Sequence, residues 1–174
     1  MRRPFAALSL AALAVLSPSL PAVAQDEPQK VLESSTFGLN LSAINAKVAQ
    51  GDAAAAAGNL AKAKLDYDQA RLGAQNLTRF YRNLSGSFRG LDARIPREMD
   101  QKGREALEMQ ATIDLRLAAL LRRMNQPEVA VPLLVEVVQI MTPASPLGQK
   151  AYQNLLELGF VSTPYAGSAA TPGS

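Results

Sequence analysis

Cysteine, histidine and tryptophan are absent from this chain. Without cysteine there is no disulfide and no thiolate metal site, so folding rests on packing alone. Without histidine the commonest general base and the commonest metal ligand are missing, and an enzyme would have to work with carboxylates, Ser, Thr, Tyr and Lys. A surplus of charge is lacking as well. The net charge of +3 includes Arg2 and Arg3, and without them the chain is close to neutral. Global basicity therefore makes no case for a nucleic-acid partner.

Long apolar runs are confined to the N-terminus. Residues 5–16 are apolar but for Ser9, follow Arg2 and Arg3, and precede Pro18, Pro21 and Ala22-Val23-Ala24. That order predicts a secretory signal peptide over residues 1–24 with cleavage after Ala24. The run is too short for a membrane anchor, which needs about 20 residues. The sequence thus predicts an exported protein of the periplasm, the thylakoid lumen or the extracellular space, with no transmembrane segment after cleavage. What remains is long enough for one domain with a real core.

Residues 25–37 lack periodicity and read as a flexible leader. Apolar spacing then predicts a single all-α domain of about five helices over 38–158. Leu41, Ile44, Val48 and Ala55 mark a first helix, with Gly51 inside it and Gly58 ending it. Glycine in a helix interior costs about 1 kcal/mol relative to alanine, and close approach of a neighbouring helix is the simplest reason for it. Leu60, Ala63, Tyr67, Ala70, Ala74, Leu77, Tyr81 and Leu84 form the seam of a second helix. Ser85-Gly86-Ser87 and Gly90 predict a long loop reaching Ile95, and Pro96 suits the first turn of a third helix ending near Met124. Asn125-Gln126-Pro127 restarts the chain into a fourth helix, irregular or kinked at Pro132. Leu147, Ala151, Leu155 and Leu158 line a fifth, and residues 159–174 read as a disordered tail.

Gly51, Gly58, Ala63, Tyr67 and Ala70 follow the order and spacing of a helical hairpin that resembles a tetratricopeptide repeat. Lys47 stands where that family carries a bulky aromatic residue. A second, weaker unit places Ala118, Leu121, Asn125 and Ala130 at comparable positions, with Val137 in place of the second alanine. The resemblance implies a short α-solenoid with a long loop between its pairs, the fifth helix acting as a cap. It also implies a protein-binding or scaffolding role. The family's carboxylate clamp is reduced here to Asn45 and Arg116, so an acidic C-terminal peptide partner is not supported. The leader and composition are also similar to those of small exported cyanobacterial proteins.

No combination of residues points to catalysis, a metal or a cofactor. Asp66 and Asp68 form the tightest carboxylate pair, yet two residues apart on a helix they point in different directions. They lack the glycine and terminal glutamate of a calcium loop. The spellings at Asn40, Asn76 and Asn83 that match glycosylation acceptors read as coincidence, since the last two lie beside seam residues. The feature that stands out is a basic stretch containing Arg79, Arg82, Arg89, Arg94, Arg97, Lys102 and Arg104, opposed only by Asp92, Glu98 and Asp100. These arginines are candidates for contact with a protein partner or, alternatively, with a membrane headgroup or polyanion. Lys64, Arg71 and Arg82 also fit a solvated flank that covers the edge of the apolar stripe.

Overall fold

The computed structural model describes residues 40–168. The predicted signal peptide, the leader and residues 169–174 of the tail lie outside the described residues. Within them the chain is all-α: α1 (Leu41–Ala56), α2 (Leu60–Ser87), α3 (Arg94–Arg123), α4 (Pro127–Met141) and α5 (Pro146–Glu157), followed by a short 3-10 turn at Ala166–Ser168. Each helix packs chiefly on the next in the sequence, with slighter contacts from α1 to α3 and from α3 to α5.

Three of these helices end in the same way. The amides of Asn59, Gln126 and Phe160 each reach back to a carbonyl five residues earlier, at Ala54, Leu121 and Leu155. The preceding residues, Gly58, Asn125 and Gly159, have positive φ. This double-bonded closure satisfies carbonyls that a helix end leaves open. It turns the chain within 57–59 and within 124–126, so α1 and α2 must run antiparallel, as must α3 and α4.

The core lies along the α2 seam, where Ala63, Ala70, Ala74 and Leu77 are buried, and along the second half of α3, where Ile113, Leu117, Leu120 and Leu121 meet Leu134 and Val137 of α4. Small residues on α2 let α1 approach closely. A Cβ on Gly51 would stand 2.6 Å from two ring carbons of Tyr67, which is the close approach its sequence position requires. The Tyr67 hydroxyl donates to Asp52 at 2.6 Å, so the ring cannot simply swing aside. Gly51→Ala should therefore lower stability by about 1–2 kcal/mol, an overpacking penalty reduced by alanine's better helix propensity. Urea denaturation at an unchanged m-value reads that loss directly.

The connection between the two helix pairs is shorter than the sequence predicts, covering only 88–93. The α2 helix runs on through Ser85 and Gly86 because Ser85 is buried and its hydroxyl donates to Asp100 at 2.6 Å, tying the end of α2 to the start of α3. The α3 helix starts two residues before Pro96, which still falls in the first turn and removes no intrahelical hydrogen bond. Pro132 is exposed, and α4 continues through it. Beyond α5 the chain turns back on it: Tyr152 donates to the Thr163 carbonyl at 2.7 Å and stacks edge-on against Tyr165.

Candidate functional site

Most basic side chains in this fold already have a partner. Lys62 and Lys47 pair with Asp66, Lys64 with Asp68, Lys102 with Glu98, Arg116 with Asp52, and Arg122 with Glu157. Arg123 donates to the Ala55 carbonyl. The Lys47–Asp66 contact, at 3.7 Å, joins α1 to α2. Lys62 holds the Asp66 carboxyl below the ordinary aspartate range through a 2.7 Å hydrogen bond. Asp66 and Asp68 are thus taken up in separate ion pairs, and no cluster of carboxylates among the described residues is arranged to hold a metal ion.

The sequence-predicted arginines divide into two groups. Arg94 is tied to Asp92 at 2.8 Å, with its own amide donating to the same carboxylate, so it closes the start of α3. Arg116 links α3 to α1 through Asp52, while Asn45 is exposed on α1. By contrast, Arg79, Arg82, Arg89, Arg97 and Arg104 are exposed and have no hydrogen-bond or ion-pair partner among the described residues. Outside this segment the same is true only of Lys150 among the described basic residues.

Three of those arginines come together. Arg82 from α2, Arg89 from the connection and Arg104 from α3 line an open cleft of 320 Å³ with Thr78, Met99, Asp100, Gly103 and Leu107. The Ser85–Asp100 bond braces its wall. Thr78 is 7% exposed, and its hydroxyl has no hydrogen-bond partner. Close by, Phe80 packs edge-on against Tyr81 at 5.3 Å and stays partly open to solvent, and Leu91 at the bend is 79% exposed.

A second polar cluster was hidden in the sequence. Arg71 on α2 donates through Nε to Asp114 on α3 at 2.6 Å and through a terminal nitrogen to Glu136 on α4, and Gln110 donates to Glu136 at 2.6 Å. Asp114 is 0% exposed, and its second oxygen has no partner. Burial pushes its carboxyl up to about 6, although Arg71 opposes the shift. Arg71 therefore bridges three helices and is not a solvated flank residue. The signal available in the sequence was the pair Gln110 and Asp114, four apart on the otherwise apolar buried face of α3.

No family model, curated protein or solved structure matches this chain. Among the described residues no helix is long and apolar enough to cross a membrane.

Proposed function

We propose that the chain is an exported, non-catalytic scaffold of the tetratricopeptide-like kind that binds an acidic protein partner through its arginine-rich end. The observation that carries this reading is the set of five arginines without partners, while the other cationic side chains among the described residues are nearly all neutralised. Guanidinium groups serving only the fold would be expected to share carboxylates as Arg71 and Arg94 do. The matching turns at 57–59 and 124–126 support a repeat of the helical hairpin, and the seating of Tyr67 against Gly51 supports the hairpin's packing logic.

A second reading is favoured by one feature. Leu91 is exposed two residues after the exposed Arg89, a mixture of apolar and cationic groups that suits an anionic membrane surface. Affinity capture from the native exported fraction separates the two when wild type is compared with Arg82, Arg89 and Arg97 all changed to Glu. The acidic-partner reading expects a captured protein that the triple variant loses and that salt weakens steeply, since the Debye length is about 3 Å at 1 M. Equal capture by both forms would reject it. Sedimentation with anionic vesicles, lost in Leu91→Ser, would favour the membrane surface.

A further inference from the structure

The arginine cleft is more specific than a basic surface. We propose that it is a seat for a phosphomonoester group, held by Arg82, Arg89 and Arg104 with the Thr78 hydroxyl as a fourth donor. The proposal deepens the reading of the arginine-rich end and rests on it.

Donor chemistry sets the ligand class. Arginine only donates hydrogen bonds, in a planar fork suited to oxyanions. Three guanidinium groups reach the cleft from three different segments of chain, so a ligand that satisfies them together needs acceptor oxygens facing several directions. A carboxylate presents two oxygens in one plane, whereas a terminal phosphate presents three around a tetrahedron. Charge points the same way. Three arginines and Asp100 leave the cleft with two net positive charges, and a phosphomonoester carries about −1.5 to −2 at neutral pH.

Thr78 supplies the independent observation. A buried hydroxyl without a partner is costly, and a helical threonine ordinarily relieves it by donating to a carbonyl of the preceding turn. Thr112 does so, to the Glu108 carbonyl at 2.8 Å. Thr78 does not, although it lines the cleft. Because the hydroxyl oxygen is itself enclosed, a phosphate oxygen in the cleft gives it the acceptor it lacks once the side chain turns about χ1 toward the ligand. Asp100 would repel the ligand, but one of its oxygens is engaged by Ser85, and the arginines outnumber it.

Phosphate titration of the full chain at constant ionic strength, followed by heteronuclear NMR at the arginine Nε and Thr78 amide signals, tests the assignment. Inorganic phosphate should bind at least about tenfold more tightly than acetate or chloride, and Arg104→Gln should weaken it about tenfold, as loss of one charge-assisted hydrogen bond does. Thr78→Val should weaken it by about threefold to tenfold while leaving the melting temperature unchanged or higher, because the substitution removes a polar atom that nothing satisfied. A merely structural threonine would not separate those two readouts. Vesicles carrying phosphatidic acid, a monoester, should be preferred over phosphatidylglycerol, a diester, if the group is presented by a lipid; equal indifference to both with retained phosphate binding identifies a soluble ligand. Phosphate binding no tighter than chloride overturns the seat. Should the triple arginine variant still lose its captured partner, the broader acidic-partner reading survives that result.

Discussion

Replacing Arg71 with alanine is expected to destabilise the protein by about 3 kcal/mol near neutral pH, the lower end of what is lost when one member of a buried ion pair is removed. Arg71 donates the hydrogen bond that Asp114 Oδ1 accepts, and Asp114 is fully enclosed among α2, α3 and α4. Without Arg71 that carboxylate stays buried with no opposite charge. Glu136 loses its cationic partner too, but it is partly exposed and keeps Gln110. The 26% exposure of the Arg71 side chain moderates the penalty. Paired denaturation curves for wild type and the variant measure it, and a difference below about 1 kcal/mol would show that the bridge is ornamental to the fold.

The same cluster gives stability an unusual pH slope. The Asp114 pKa is about 6 in the folded protein against 3.8 for an ordinary aspartate. Between those values the native state therefore holds a proton that the unfolded chain has released. By linkage, Asp114's contribution to stability increases as pH falls from about 7 toward 4, and is lost again as pH rises through 6. Asp66 and Asp92 act in the opposite sense, because lysine and arginine partners hold their carboxyls below 3.8; their contribution is present above that value and disappears in stronger acid. Arg71→Ala removes the charge that opposes Asp114's upward shift, so the variant should lose more stability at pH 8 than at pH 5. Asp114→Asn should flatten the slope between pH 5 and 7.

The contrast between the seam and this cluster shows what a single sequence discloses. Ala63, Tyr67 and Ala70 were legible because helix periodicity places them on one face of α2, and the structure sets the Tyr67 ring of that face against Gly51 of α1. The Arg71 bridge was not. It spans 43 residues to Asp114 and 65 to Glu136, and periodicity orders residues along a helix without saying which polar groups meet across three of them. The basic stretch was legible as a stretch. Which arginines converge depends on α2 continuing past Ser85 and on where α3 lies against it, a geometry fixed by a Ser85–Asp100 bond that composition alone does not disclose. The glycine and serines at 85–87 resemble a loop locally, yet one buried hydroxyl with a carboxylate partner outweighs their weak helix propensity.

Gly148→Ala should be more damaging than Gly51→Ala, with a loss of about 3 kcal/mol or more, beyond the usual overpacking range. The reason lies in the turn before it. Thr142 ends α4 at φ 62° and ψ 150°, a conformation that is otherwise almost reserved for glycine. Its carbonyl accepts from the amide and hydroxyl of Ser145, while the Ser145 hydroxyl accepts from the Gly148 amide and caps α5. A Cβ on Gly148 would stand 1.9 Å from that Thr142 oxygen, an atom of the backbone that cannot rotate away. Relief requires α5 to move, and α5 carries Ala151 and Leu155 against α4 while its Asn154 and Glu157 hold Arg122. Hydrogen exchange distinguishes the two ways this can fail: undocking of α5 alone strips protection from 146–157 and leaves α2 unchanged, whereas global destabilisation lowers protection throughout. Thr142→Gly should recover part of the loss, since relaxing the strained residue lets the oxygen retreat. No recovery, or a Gly148→Ala protein as stable as wild type, would mean that the turn is not the element that fixes α5 on α4.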